Sequence, residues 1–258
     1  MNRTGVRPSP IFLIIVAVTV AGGVLVTFQS QSAVDWGTLM LVLGGWGTSL
    51  CLHEFSHAIV AYRGGDYAVR NKGYLTLDIR RYTHPLYSIV LPLLFLAVGG
   101  IPLPGGAVWI NHSALRDRKV ESLVSLAGPL SNLVLGVALI WADREFVPIN
   151  LFSPYGATAL SFGLSYLALL QLFAFVINIL PIPGLDGWGA IEPWLSQEAR
   201  RFGDQVRPWA PLVLFAILIG LRSVNNAVFD GIEHIMSWLG GDPIQAIFGQ
   251  QNFLFWRQ

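Results

Sequence analysis

Long apolar stretches, separated by shorter polar loops, dominate the chain. A helix needs about 17–25 apolar residues to cross a bilayer. Runs that approach or exceed this length occupy residues 11–27, 38–62, 122–142, 156–180 and 208–221. The pattern predicts an all-α polytopic membrane protein, a helical bundle of about five to six spans. We expect one integral membrane domain over residues 1–258.

Two segments depart from this helical pattern. In "YLTLDI", residues 74–79, apolar and polar residues alternate, and Asn71-Lys72-Gly73 before it is typical of a turn. This alternation predicts a small β-hairpin. Residues 86–98 are apolar but too short to cross the bilayer, and they contain Pro92. We expect this second segment to be re-entrant or to lie in the membrane interface.

The basic residues indicate an orientation in the membrane. Lys and Arg are concentrated in the loops 63–84, 111–121 and 192–207, whereas loop 28–37 has none. Cytoplasmic loops carry the excess of basic residues in multi-pass proteins. We therefore expect a cytoplasmic amino terminus and a cytoplasmic β-hairpin/re-entrant region. Because the chain is short and its loops are spare, a prokaryotic plasma membrane is the expected location.

Composition supports lipid as the main solvent. The chain is 53% hydrophobic and only 12% charged, against about a quarter charged in soluble domains. The formal net charge of +1 gives no indication of a nucleic-acid partner. Cys51 is the single cysteine, so no internal disulfide is possible.

One apolar run contains a cluster of ionisable residues. In "LCLHEFSHAIVAY", residues 50–62, His53 and His57 are four residues apart and lie on one face of a helix. Glu54 is one step round the helix, within reach of a water on a shared metal ion. This is the H-E-x-x-H arrangement of two metal ligands and a general base. The alternative is that these side chains only pack against neighbouring helices. Ionisable groups inside a membrane are more often functional.

A hydrolytic zinc site needs a third protein ligand and an open fourth position. Asp186, in "NILPIPGLDGW", follows a span that runs in the same direction as the helix of His53 and His57. The sequence therefore predicts one Zn²⁺ per chain on His53, His57 and Asp186. Asp230 and Glu233 are rival ligands.

"HEFSH" together with "NILPIPGLDG" resembles the site-2 protease family of intramembrane zinc metalloproteases. "SLAGPLSN" at 125–132 and "IPLPGGAVWI" at 101–110 are similar to two further motifs of that family. The resemblance implies a catalytic core over residues 38–189, with Glu54 as the catalytic base. The chain resembles a short form of this family that lacks a PDZ or CBS domain. It also implies regulated intramembrane proteolysis of single-span membrane proteins or remnant signal peptides.

Other residues are candidates for binding an unwound substrate. A substrate helix must open before cleavage, and backbone partners on the enzyme can stabilise the extended strand. The expected substrate-binding residues are Asn178, Pro181, Pro183, Asn132, Gly105 and Gly106. For Asn178 the alternative is a hydrogen bond between helices. For Asn132 the alternative is a close helix contact at Gly128.

Two other functions use the same residues. A metal-dependent transporter or channel can line an ion path with His, Asp and Glu, but it leaves Glu54 unexplained. A catalytically inactive scaffold that binds membrane helices is the second alternative, although all three ligands and the base are present. The sequence does not specify the substrate, the gating mechanism or the oligomeric state.

Overall fold

The computed structural model describes residues 6–28, 30–82, 109–147 and 154–257, and within them every regular element is helical. This confirms the all-α fold class. The α-helices are α1 (Pro10–Leu25), α2 (Gln31–Gly64), α3 (Ala68–Asn71), α4 (Ile79–Tyr82), α5 (Arg118–Phe146), α6 (Pro154–Asn178), α7 (Asp186–Ile191), α8 (Gln197–Val206), α9 (Ala210–Gly220), α10 (Arg222–Trp238) and α11 (Pro243–Phe253). Short 3-10 turns occupy Tyr74–Thr76, His112–Ala114, Glu192–Trp194 and Phe255–Arg257.

Local capping residues set several helix boundaries. The first backbone N–H groups of a helix lack helical partners, and short polar side chains satisfy them. Ser30 accepts a hydrogen bond from the Ala33 amide at the start of α2, and Asp117 accepts one from the Val120 amide at the start of α5. Gly65 ends α2 with φ +125°, a conformation that glycine adopts without a Cβ clash.

The helix α6 forms the centre of the molecule. It packs against α2, α5 and α11, and most of its side chains from position 165 to 177 are buried. Leu170, Leu172 and Ile177 belong to one apolar cluster, which also contains Phe253 of α11. Because polar side chains on such a helix face other helices rather than water, each of them needs an internal partner.

Two of the described helices are long and apolar enough to cross a membrane: Arg118–Glu145, and Ala159–Asn178. A third is possible if α8 and α9, bent by 61° at their junction, count as one broken span. The predicted five to six spans are therefore not confirmed. α1 is apolar but has only 16 residues. α2 has 34 residues, but glycines and the polar groups of its metal motif interrupt its apolar run.

The predicted β-hairpin is wrong for "YLTLDI". This segment forms a 3-10 turn at Tyr74–Thr76 and then enters α4. Positive φ angles at Gly73 (+78°) and Leu77 (+56°) turn the chain too sharply for a strand. The alternating apolar residues are buried against α2, with Leu75 only 1% exposed. They anchor a compact loop, so their spacing does not reflect the two faces of a sheet.

The predicted re-entrant segment 86–98 lies outside the described residues, as do Gly105 and Gly106.

Candidate metal centre

His53, His57 and Asp186 lie together, as the sequence predicts. The Nε2 atoms of His53 and His57 are 3.1 Å apart. Nε2 of His53 is 3.2 Å from one carboxylate oxygen of Asp186, and Nε2 of His57 is 3.4 Å from the other. Two imidazoles from α2 and a carboxylate at the start of α7 therefore converge on one point.

The spacing of these atoms fits a tetrahedral metal ion. Zinc binds imidazole nitrogen and carboxylate oxygen at about 2.0–2.2 Å, which places two tetrahedral ligand atoms about 3.3–3.6 Å apart. The two Nε2 atoms are 3.1 Å apart, and each lies 3.2 or 3.4 Å from one of the two Asp186 oxygens, so the separations are at or slightly below this range. The cluster therefore supplies three protein ligands and leaves a fourth position.

Gly128 of α5 leaves the space that an ion would need. A β-carbon at this position would lie 2.6 Å from Nε2 of His53 and closer still to Nε2 of His57. Real β-carbon contacts essentially never reach such distances. Any residue with a side chain here would occupy the point on which the ligand atoms converge.

The other ring nitrogen of each histidine is held by an oxygen acceptor. Nδ1 of His53 lies 2.5 Å from Oδ1 of Asn132, and Nδ1 of His57 lies 2.7 Å from the carbonyl oxygen of Val124. A carbonyl oxygen can only accept, so the proton of each neutral ring is on Nδ1. Both Nε2 lone pairs are then free to bind a metal ion.

A tight turn presents Asp186. Gly184 has φ +96°, and Leu185 is extended immediately before α7 begins. The carboxylate oxygens of Asp186 face the Nε2 atoms of His53 and His57. A carboxyl group binds a metal ion in its ionised form.

Glu54 borders the same cavity as the three ligands. The cavity has a volume of about 310 Å³ and is lined by residues of α2, α5, α6, α7 and α9. Glu54 is only 3% exposed. A carboxylate on the wall of the cavity that His53, His57 and Asp186 also line is placed to exchange protons with a water there.

Curated proteins with similar sequences carry a consistent name. A protein of Mycolicibacterium smegmatis named "Putative zinc metalloprotease Rip2" is 43% identical over 98% of this chain and 96% of its own length. Rip2 of Mycobacterium tuberculosis strain H37Rv is 44% identical over 93% of this chain and 90% of its own length. YwhC of Bacillus subtilis, with the same description, is 32% identical over 73% of this chain and 87% of its own length.

The chain belongs to the site-2 protease family. The resemblance carried by "HEFSH" and "NILPIPGLDG" is thereby confirmed. No protein-family model matches the chain, and no solved structure matches it at a significant level.

The remaining predicted site residues of this site-2 protease differ in their positions. Asn178 lines the cavity and is 6% exposed; its Nδ2 has no hydrogen-bond partner in the described part of the chain. Asn132 also lines the cavity, but its amide oxygen bonds to His53 and its amide nitrogen to Gln171. Pro181 is exposed and Pro183 half-buried; at this end of the loop, Gly184 and Leu185 form the cavity wall.

The rival ligands Asp230 and Glu233 belong to α10 and are not part of the metal cluster.

Three features of the site-2 protease centre were missed from the sequence. They are the open space at Gly128, the carbonyl of Val124 and the contact of Asn132 with Gln171. Two of them left a signal: Gly128 lies in "SLAGPLSN", and Gln171 is an amide in the apolar run "YLALLQLFAFVI". A polar residue in such a run needs an internal partner, but the sequence does not say which one.

Proposed function

We propose that this site-2 protease is an intramembrane zinc metalloprotease, with one Zn²⁺ on His53, His57 and Asp186. It hydrolyses peptide bonds within or near the transmembrane segments of membrane-anchored proteins. The observation that carries the proposal is the convergence of two imidazoles and one carboxylate beside Gly128, in a cavity that Glu54 also lines. The names of the relatives support zinc as the metal and proteolysis as the activity.

The residues of the site have distinct roles in hydrolysis. His53, His57 and Asp186 would hold the zinc ion, which when bound would polarise the scissile carbonyl and make a water molecule a better nucleophile near neutral pH. Glu54 accepts the proton of the attacking water and transfers it to the leaving amide nitrogen. Because Glu54 is buried, few bulk water molecules compete for this proton.

The cavity also has a feature suited to a substrate backbone. The Nδ2 group of Asn178 is a buried donor without a partner in the described part of the chain. A buried donor without a partner costs free energy, about 1–3 kcal/mol. An unwound substrate segment carries free carbonyl oxygens, so binding such a carbonyl relieves this cost. Asn178 is the substrate-binding residue that this geometry supports best.

The same proposal includes further substrate-binding residues, the class of substrate and the membrane topology. Pro181, Pro183, Gly105, Gly106 and Asn132 stay predicted substrate-binding residues. The predicted substrates are single-span membrane proteins and remnant signal peptides. The basic loops support a multi-pass topology with the active site at the cytoplasmic face of a prokaryotic plasma membrane.

The proposal is tested with the Glu54→Gln variant, reconstituted with zinc and a single-span model substrate. Glutamine keeps the shape of glutamate but cannot accept the proton. We expect bound zinc to stay at one per chain and cleavage to fall by about 10²–10⁴-fold. Glu233→Gln, the same change on α10, serves as the control and should cleave as the wild type does.

Undiminished cleavage by Glu54→Gln would remove this residue from its role. If the wild type cleaves no membrane substrate but moves zinc across liposomes, the protein is a transporter instead.

A further inference from the structure

Four polar side chains form a continuous chain of hydrogen bonds that begins at the metal centre. Nδ1 of His53 donates to Oδ1 of Asn132, and Nδ2 of Asn132 donates to Oε1 of Gln171 over 2.8 Å. Nε2 of Gln171 donates to Oγ of Ser49 over 3.1 Å. Ser49 in turn donates to the backbone carbonyl of Trp46 over 2.8 Å. These hydrogen bonds lead from α2 through α5 and α6 and back to α2.

The backbone carbonyl of Trp46 sets the direction of every bond in this chain. A carbonyl only accepts, so Ser49 uses its single hydroxyl proton there and must accept from Gln171. Gln171 then points its NH₂ group at Ser49 and its oxygen at Asn132. Asn132 points its NH₂ group at Gln171 and its oxygen at His53. This last contact requires the proton of His53 to be on Nδ1, which leaves Nε2 as the metal ligand.

Burial makes the direction hard to reverse. Ser49 is 5% exposed, Asn132 3% and Gln171 1%. A flipped Gln171 amide would set its NH₂ group against that of Asn132 and its oxygen against the Ser49 oxygen, whose proton is already donated to Trp46. One amide therefore cannot rotate unless its neighbours in the chain also lose their bonds.

We propose that Gln171 and Ser49 are positioning residues of the metal centre. They hold the amide oxygen of Asn132 against Nδ1 of His53 and so keep the ring oriented with Nε2 towards Asp186. This inference rests on the proposed function in taking zinc as the ion. Neither residue touches the ligand atoms at the cluster; both act through Asn132.

The alternative is that this chain of hydrogen bonds serves only to join α2, α5 and α6. The two roles predict different results for metal affinity. Loss of a hydrogen-bond partner of a metal-binding histidine typically weakens metal binding about 10–100-fold. A role limited to joining the helices would lower the melting temperature without a comparable loss of affinity.

The test uses Gln171→Leu in the full-length protein, purified in detergent, with zinc affinity measured by competition against a chelator. We expect an affinity loss of about 10–100-fold. Gln245→Leu is the matched control, because Gln245 accepts a hydrogen bond from Ser165 and joins α11 to α6 away from the metal centre. Its zinc affinity should equal that of the wild type, even if its melting temperature falls.

A milder pair of variants at Ser49 tests the same chain of hydrogen bonds in case Gln171→Leu does not fold. Ser49→Ala removes the group that orients Gln171, whereas Ser49→Thr keeps a hydroxyl. We expect weaker zinc binding and an altered Co²⁺ absorption spectrum for Ser49→Ala, and wild-type values for Ser49→Thr. Wild-type zinc affinity in both Gln171→Leu and Ser49→Ala overturns the inference.

The two proposals fail in different ways. If the wild type binds no zinc, or Glu54→Gln cleaves normally, the proposed function fails. If the wild type binds zinc and depends on Glu54, but Gln171→Leu binds zinc as tightly, only the positioning role fails.

Discussion

Gly128 of α5 faces the ligand nitrogen of His53, and a β-carbon at position 128 would lie only 2.6 Å from that atom. The backbone of one helix therefore approaches the two imidazoles of another without filling the space between the ligands. This contact gives the glycine of "SLAGPLSN" a physical role. The small residue leaves room for an ion as well as allowing α5 and α2 to pack closely.

We therefore expect Gly128→Ala to lower zinc occupancy sharply while the helices still form. The added methyl group has to displace both imidazoles from the positions in which they bind the ion. Zinc per chain, measured after gel filtration, checks this prediction. Gly231→Ala on α10 is the control, because a β-carbon there meets no atom within 4 Å. Full zinc occupancy in Gly128→Ala would contradict the role of the glycine.

Replacing Asp186 tests the third ligand. Asp186→Ala leaves only two imidazoles, so zinc affinity should fall by more than the roughly 10–100-fold seen when a ligand only loses its hydrogen-bond partner. Because Asp186 lies at the start of the short helix α7, far-UV circular dichroism should stay unchanged. The exposed Asp204 on α8 provides the control, Asp204→Ala. One zinc per chain in Asp186→Ala would place the third ligand elsewhere.

Asn178→Leu separates a substrate-binding role from a structural one. Leucine is similar in size but cannot donate a hydrogen bond. Because Nδ2 of Asn178 has no partner in the described residues, its removal should not lower the melting temperature. Cleavage should fall about tenfold in kcat/KM, the effect of one hydrogen bond of about 1.4 kcal/mol. A lower melting temperature with unchanged cleavage would favour a bond between helices instead.

The ion pair of Asp78 and Arg80 predicts a pH dependence of stability. Oδ1 of Asp78 accepts from Nε of Arg80 over 3.0 Å, and Oδ2 accepts from Nη2 over 2.8 Å. Hydrogen bonding to Arg80 lowers the pKa of the Asp78 carboxyl below its usual value. A lowered folded-state pKa stabilises the fold above the unfolded pKa of about 4, and this contribution is lost progressively as the pH falls from there through the folded-state pKa.

Arg80→Met should therefore lower the melting temperature slightly at pH 7, and the difference from the wild type should be smaller at pH 3. Thermal unfolding in detergent at both pH values checks this. Arg201→Met, the same change at an exposed position on α8, is the control. A difference that stays constant over this range would mean that the pair contributes nothing through its charge.

The sequence by itself determined the all-α class and the three residues that cluster as candidate metal ligands. Apolar runs indicate helices, because helix formation depends on contacts within a few residues. The spacing of His53 and His57 puts both imidazoles on one helix face for the same local reason. Asp186 could be chosen because parallel spans bring their ends to the same side of a bilayer.

Only the tertiary structure decided what surrounds these ligands. The metal centre is completed by contacts between helices that are distant in the sequence, and these contacts involve Gly128, Val124, Gln171 and Ser49. No local pattern specifies which face of α5 meets α2, because that depends on the packing of whole helices. "YLTLDI" shows the same limit: its alternation is compatible with a strand, but burial against α2 and the turns at Gly73 and Leu77 make it a helical loop.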